Sequence, residues 1–272
     1  MNSNKIPKVI HYCWFGNAPK SAFTERCMNS WKKKLPDYEW KEWNENTFDV
    51  NSVPFVRDAY KAKKWAFVSD YVRLHALYYE GGIYMDTDVK VMKPFDEFLQ
   101  YNFFSSHEIQ PHFYSENQPQ KLNSQKVPID TNSFIYGWSV LSAVMGATKG
   151  LPYLKECMEY YKQKPFYNAE GKIDLDELII GKHITRLILK YGYRYEDCDQ
   201  LLDDNMFIAK SDVFVGNAIY LKPSSYAIHL CNGSWLDDNK DWKWKLRNNY
   251  PLLSNILSPF FKAQNKIKRL LK

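Results

Sequence analysis

Hydrophobic and polar positions change period several times along the first hundred residues. The segment "KVIHYCWF" (8–15) alternates weakly and is rich in β-branched and aromatic side chains, which predicts a strand. "PKSAFTERCMNSWKKKL" opens with Pro19 and repeats Phe23, Cys27 and Trp31 at helical spacing. "YEWKEWN" alternates again as a second strand. "KKWAFVSDYVRLHALYYEGG" is the clearest helix, with Ala66, Leu74, Leu77 and Tyr78 at near-helical intervals and Gly81 and Gly82 to stop it. A strand follows at once. That rhythm of strand, helix, strand, helix, strand is the signature of an α/β sheet.

Further on, "PFDEFL" reads as a short helical turn and "YNFFSSHE" as a strand. Residues 109–131 are polar and punctuated by Pro111, Pro119 and Pro128, which predicts a long loop across one face. "FIYGWSVLSAVMGATKG" returns to strand character, and "LPYLKECMEYYKQ" is helical. "DLDELIIGKHITRLILKYG" reads as one amphipathic helix ended by Gly192. "FIAKSDVFV" and "SSYAIHLCNGSW" supply late strands and a turn. Repeats, low-complexity tracts and linkers are absent, so residues 1–240 are expected to form one domain, with 241–272 as a basic helical extension.

Composition narrows the picture in three ways. Five scattered cysteines without a CxxC pair suggest neither a zinc ribbon nor a disulfide framework, and fit free thiols in a cytoplasmic protein. The N-terminus lacks the apolar core of a signal peptide, and no apolar run is long enough to span a membrane. Charge is uneven. Residues 240–272 hold nine Lys/Arg against Asp241, a local +8, which leaves 1–239 at about −2 of the total +6. A nucleic-acid partner calls for a basic face across the fold, and this distribution does not supply one. The tail "PFFKAQNKIKRLLK" lines up Phe260, Ala263, Ile267, Leu270 and Leu271, with Lys262, Lys266, Arg269 and Lys272 elsewhere. Two readings fit that stripe: an interfacial helix drawn to anionic lipid, or a helix packed on the domain with a solvated basic face.

The candidate chemistry lies in "GGIYMDTDVKV" (81–91), which sets Asp86 and Asp88 with one residue between them among apolar neighbours. On an extended strand Tyr84, Asp86 and Asp88 share one side while Ile83, Met85 and Val89 share the other. Two carboxylates brought together resist joint ionisation unless a cation joins them. A hard divalent ion, Mn²⁺ or Mg²⁺, suits carboxylate oxygens, and a diphosphate suits its spare positions. Alone, a DxD is a weak signal. Three apart on the preceding helix, Asp70 and Arg73 share a face and can hold a hydroxylated ligand, although in isolation such a pair reads as a surface ion pair.

The stretch "AFVSDYVRLHALYYEGGIYMDTDVKVMKPFD" resembles the signature of the DxD-containing sugar transferases grouped as glycosyltransferase family 32: A-x-x-S-D-x-x-R, a short helix, G-G-x-Y-x-D-x-D, then a strand ending in Pro. "IPKVIHYCWFG" is similar to the family's first strand, and "SSYAIHLCNGSW" to its C-terminal A-I-H-x-x-x-x-S-W. The resemblance implies a GT-A fold, a mixed α/β sheet built like a nucleotide-binding half-sheet with additions, and a nucleoside-diphosphate sugar donor. It implies that Asp86 and Asp88 bind Mn²⁺ and diphosphate, with His229 completing the metal site. Ser69, Asp70, Arg73 and Tyr84 would line the donor sugar, Trp14 would stack on the nucleobase as in the related clostridial glucosylating toxins, and Ser234 and Trp235 would hold the diphosphate. Arg73 joins the two aspartates as a candidate catalytic residue.

Also implied are retention at the anomeric carbon without a covalent nucleophile, the leaving diphosphate taking the acceptor proton, and a glycan acceptor in polysaccharide synthesis; the tail, read as an interfacial helix, fits a lipid-linked oligosaccharide acceptor at the inner face of the plasma membrane. Two positions depart from the family pattern: Lys182, where G-P is common, and Ser142, near where relatives carry Asn. Rival readings are a haloacid-dehalogenase-type phosphatase, in which the first Asp is a nucleophile near the N-terminus, and a non-catalytic nucleotide-sugar-binding module.

Overall fold

The structure, a computed structural model, describes residues 5–231 apart from 112, 115–117, 131 and 132. In chain order its elements are β1 (Val9–Cys13), α1 (Ala22–Lys34), β2 (Glu39–Trp43), α2 (Pro54–Lys61), α3 (Trp65–Glu80), β3 (Gly82–Met85), β4 (Val89–Val91), β5 (Phe103–Ile109), β6 (Trp138–Val140), β7 (Val144–Ala147) and α4 (Pro152–Gln163). There follow α5 (Leu175–Leu178), α6 (Ile180–Ile188), β8 (Gln200–Leu202), β9 (Met206–Ala209), β10 (Phe214–Val215) and β11 (Ala227–His229).

Local sequence accounts for the well-formed elements. At the start of α1 the Ser21 hydroxyl accepts from the Thr24 N–H at 3.1 Å, and Lys32, Lys33 and Lys34 close the last turn against the helix dipole. The buried stripe of α1 is Thr24, Cys27, Met28 and Trp31, one position round from the stripe that began on Phe23. Helix α3 ends where the backbone must turn sharply into β3. Gly82 has φ +110°, and a Cβ there would sit 2.7 Å from the Val9 carbonyl oxygen and 2.9 Å from His11 Nε2. Only glycine lets β3 slide in beside β1.

Among the described residues the main sheet has the order β2-β1-β3-β7-β5-β9-β8, with β6 attached to β5, and β10-β11-β4 form a second, three-stranded sheet. Strands β1, β2 and β3 are parallel. Because β7 is antiparallel to both β3 and β5, β5 runs in the sense of β3, and β9 runs with β5. The carboxyl ends of β1, β2, β3, β5 and β9 therefore share one edge, which is where open α/β sheets bind ligands.

Two apolar layers cover the faces of this mixed sheet. Tyr84, Phe103 and Met145 pack with Val68, Val72, Leu77, Tyr153 and Ile184 of α3, α4 and α6. On the other face Ile10, Ile83, Met85 and Val144 pack with Trp31 of α1 and with Val89, Phe214 and Ala227 of the small sheet. The α/β expectation holds: a mixed sheet flanked by helices, with a nucleotide-binding type of parallel half and antiparallel additions.

Several elements differ from the sequence reading. Helix α2 and strand β8 were not foreseen. The apolar stretch 134–150 forms two strands, because Leu141–Ala143 turn between β6 and β7. The single helix expected over 174–192 is broken at Ile179, whose ψ of 115° is extended. Its apolar period spans the break, so periodicity alone could not reveal it. The extension 241–272 lies outside the described residues, and among those described no helix is long and apolar enough to cross a membrane.

Candidate active site

Asp86 and Asp88 do not lie on one continuous strand. The chain leaves the main sheet after Met85, turns with the Val89 N–H bonded to the Asp86 carbonyl at 3.0 Å, and enters the small sheet as β4. The extended alternation stops at Asp86, and a turn brings the two carboxylates together. The apolar half of the expectation survives, because Ile83, Met85 and Val89 still meet in one layer. Two anchors hold β4 against α1: the Trp31 indole N–H donates to the Val89 carbonyl at 2.7 Å, and the Val91 N–H donates to Ser30 Oγ at 2.8 Å.

Asp86 belongs to the main sheet and the helix beneath it. The Tyr84 hydroxyl donates to Asp86 Oδ1 at 2.8 Å, and Arg73 Nη1 lies 3.4 Å from the same carboxylate. Arg73 is 4% exposed, and each of its three nitrogens has a partner. Nε donates to the Ser69 carbonyl at 3.2 Å, Nη1 to the Ser142 carbonyl at 2.9 Å, and Nη2 meets Asp70 Oδ1 at 2.9 Å. The guanidinium also lies over the Tyr84 ring, 4.6 Å from its centre. Burial pushes the Asp70 carboxyl up to about 7 against the opposing pull of Arg73, with Asp86 adding to the rise. The Asp70–Arg73 pair is thus no surface ion pair. It is the buried cation centre that answers Asp86.

Asp88 faces the other way, toward the small sheet. Its Oδ1 lies 3.2 Å from Nε2 of His229, which closes β11, and β11 pairs with β4 so that His229 is opposite Val89. Burial opposes a charge on His229, but Cys231 and Asp88 outweigh it and hold the imidazole well above its usual range. Cys231 Sγ lies 3.5 Å from His229 Nδ1. Donor atoms of Asp86, Asp88 and His229 all fall within 4.8 Å of one another. Two carboxylate oxygens and one imidazole nitrogen converging from two sheets fit a hard or borderline divalent cation such as Mn²⁺ or Mg²⁺.

Trp14 directly follows β1 at the same edge, partly exposed, with its indole N–H donating to the Ala18 carbonyl at 2.6 Å and Lys20 above the ring. The Ser69 hydroxyl donates back to the Trp65 carbonyl at 3.0 Å, one turn earlier in α3. Of the two departures from the family pattern, Ser142 offers its carbonyl to Arg73, while Lys182 pairs with Glu177. Ser234 and Trp235 lie outside the described residues.

One acidic residue was missed by the sequence reading. Gly82 and Phe103 both pair with Ala147 of β7, so β3 and β5 run level on either side of it toward the same edge. Glu108, four residues past the last β5–β7 pair, lies within reach of the charges of Asp86 and His229, and it is half-buried. Burial raises its carboxyl, the charge of His229 lowers it, and Asp86 adds to the rise. No local spacing marks it, because its neighbourhood is made by strand order alone.

Residues 22–104 match the family described as "Glycosyltransferase sugar-binding region containing DXD motif". An inositol phosphoceramide mannosyltransferase 3 of Schizosaccharomyces pombe is 31% identical over 106 residues, 36% of this chain and 29% of the relative. An initiation-specific alpha-1,6-mannosyltransferase of Candida albicans is 29% identical over 107 residues, 36% of this chain and 28% of the relative. The matched stretch thus spans less than a third of the length of either. Among solved structures, the PaToxG glycosyltransferase is similar at a TM-score of 0.48 and 17% identity, over 69% of this chain and 70% of that one.

Proposed function

We propose, from the premise that residues 22–104 are a glycosyltransferase sugar-binding region containing a DXD motif, that this chain transfers a hexosyl group from a nucleoside-diphosphate sugar to a glycan hydroxyl. UDP-sugars are the favoured donors, retention the favoured outcome, and surface-polysaccharide synthesis the favoured setting. The observation that carries the reading is the convergence of Asp86, Asp88 and His229 at the edge where the parallel strands end.

In this reading Asp86, Asp88 and His229 hold Mn²⁺ or Mg²⁺. Bound there, the cation would neutralise charge growing on the leaving diphosphate. The chain's own part is to fix the ligands beforehand. Tyr84 and Arg73 lock the Asp86 carboxylate, Asp70 anchors Arg73, and the Trp31 and Ser30 bonds to β4 hold the far end of the turn. Preorganised charge of this kind stabilises a transition state without reorganisation during the reaction. Trp14 offers a face for the nucleobase at the mouth of the same edge, and Ser69, Asp70, Arg73 and Tyr84 form the wall beneath the donor sugar. Ser234 and Trp235 are proposed as donors to the diphosphate on the strength of the S-W pattern, and the basic tail as a contact with anionic lipid at the cytoplasmic face. The acceptor oxygen forms its bond to the anomeric carbon as the carbon–phosphate oxygen bond breaks. That bond's electron pair stays with the diphosphate, which takes the acceptor proton.

The haloacid-dehalogenase alternative needs a first aspartate free to attack phosphorus. Asp86 is instead pinned by Tyr84 and Arg73. Release of nucleoside diphosphate from UDP-glucose, UDP-galactose, UDP-N-acetylglucosamine and GDP-mannose, measured with Mn²⁺ and again with a chelator, tests the proposal. Chelator-sensitive release from at least one donor is expected, and inertness toward all four contradicts it.

A further inference from the structure

Glu108 sits at the acidic edge but outside the cluster of three metal-ligating residues. It reaches that edge through β5, and its place beside the site is kept by glycine: a Cβ on Gly216 would come within 2.8 Å of Glu108 Cγ and 3.1 Å of Oε1. Both hydrogen-bond partners of its carboxylate are neutral and both bonds are long. Gln110 Nε2 donates to Oε1 at 3.2 Å, and Ser139 Oγ donates to Oε2 at 3.4 Å. Gln110 is itself fixed, receiving a bond from Asn217 Nδ2 at 2.8 Å. Ser139 is backed by the start of α6, where a Cβ on Gly181 would lie 3.0 Å from its Oγ.

A carboxylate has about four acceptor positions, so Glu108 keeps capacity for further donors while its orientation is set by its neighbours. Gly216, against which Glu108 packs, accepts from Cys231 Sγ at 3.7 Å through its carbonyl, and Cys231 Sγ lies 3.5 Å from His229 Nδ1, so Glu108 is a short step from the metal-ligating cluster and feels the charges of His229 and Asp86. The strands and turns that hold it also carry exposed apolar side chains, Ile179 before α6 and Ile219 beside Asn217. With a diphosphate held by the cation ligands, a carboxylate beside that cluster but outside it is left for the second substrate.

Resting on the glycosyl-transfer reading, we propose that Glu108 orients the acceptor by accepting a hydrogen bond from it. On a glycan the donor is a hydroxyl neighbouring the attacking one; when water is the acceptor, it is the second O–H of that water. The attacking oxygen's own proton still leaves with the diphosphate, so Glu108 ends each turnover as it began. Its substrate class is a polyol, for which a fixed carboxylate discriminates strongly between analogues that present a hydroxyl and those that lack it.

The test uses hydrolysis of the same four nucleotide sugars with Mn²⁺, in wild type, Glu108→Met and Glu108→Gln, alongside Mn²⁺ and UDP binding and thermal melting. Glu108→Met is expected to lower kcat for hydrolysis about tenfold to a hundredfold, the loss of one hydrogen bond to a charged acceptor. KM for the donor and the affinities for Mn²⁺ and UDP should stay within about threefold, and Tm should hold or rise, because a half-buried carboxylate has been replaced by an apolar side chain. Glu108→Gln, which keeps one acceptor oxygen, should recover part of the rate. Unchanged hydrolysis in Glu108→Met overturns the proposal, and so does a tenfold loss of Mn²⁺ affinity, which would place Glu108 in the metal site. A wild-type protein inert toward every donor instead overturns the glycosyl-transfer reading on which the proposal stands.

Discussion

Asp86 and Asp88 are two residues apart, yet their surroundings have little in common. Asp86 is built into the main sheet, with Tyr84 and the buried Arg73–Asp70 pair around it. Asp88 opens onto the small sheet, where its carboxylate meets the imidazole of His229. One carboxylate is held by a buried guanidinium and a phenol, and the other meets an imidazole across two strands of the small sheet. The difference teaches that the acidic pair is a junction: the main sheet positions the first carboxylate and the small sheet positions the second. Under the proposed function, a cation at the turn would draw one oxygen from each side.

The largest expected effect tests the Asp86 side. Replacing Arg73 with Met leaves Asp70 and Asp86 without their buried counter-charge and should cost about 3–5 kcal/mol of stability, read by urea denaturation. A loss under about 1 kcal/mol would break the comparison. Next, Asp88→Asn should lower nucleoside-diphosphate release by about 10²–10³-fold, the range for losing one preorganised charge-stabilising group. Its stability should fall only modestly, as the His229 contact weakens, since Asp88 is not part of the Arg73 network. Asp86→Asn should do both at once, with a comparable activity loss and about 1–3 kcal/mol of destabilisation as the Tyr84 and Arg73 bonds weaken. Equal stability of the two Asn variants would erase the distinction between the two sides.

The last expected effect is one of pH, and it comes from two buried histidines outside the cation cluster. Burial holds His107 and His183 down at about 4. Their unfolded pKa is near 6.5, so between about 6.5 and 4 the unfolded chain binds protons that the folded chain does not. Stability from these two side chains is full above about pH 6.5 and declines as pH falls toward 4. Melting at pH 7.5 and 5.0 should show this loss, and His107→Gln should shrink it. An unchanged slope in that variant would transfer the acid sensitivity to the site.

The legible part of the site was the part contiguous in sequence. From Ala66 to Val91 the helix, its glycine stop and the acidic pair follow one another; local period grouped Tyr84, Asp86 and Asp88, while Asp70 and Arg73 joined them through the family resemblance, because spacing alone read that pair as a surface ion pair. His229 came through a pattern near the far end of the chain, and the β4–β11 pairing explains why it arrives opposite Val89. The turn at Asp86 was hidden because Val89 packs in the same layer as Ile83 and Met85, mimicking an unbroken strand. Glu108 was hidden for a different reason. Nothing near it in sequence signals a site, and only the order β3-β7-β5 brings it to the edge. The broken helix at Ile179 shows the same limit, because an apolar period continues through a change of backbone direction.

The central claim is that Asp86, Asp88 and His229 act as one divalent-cation site that grips a diphosphate. Titrating Mn²⁺ by electron paramagnetic resonance into wild type, Asp88→Asn and His229→Ala, with and without UDP, addresses it most directly. The account expects one Mn²⁺ per wild-type chain, bound more tightly when UDP is present, with binding lost in Asp88→Asn and weakened about tenfold or more in His229→Ala. Equal Mn²⁺ affinity in all three proteins, indifferent to UDP, would contradict it.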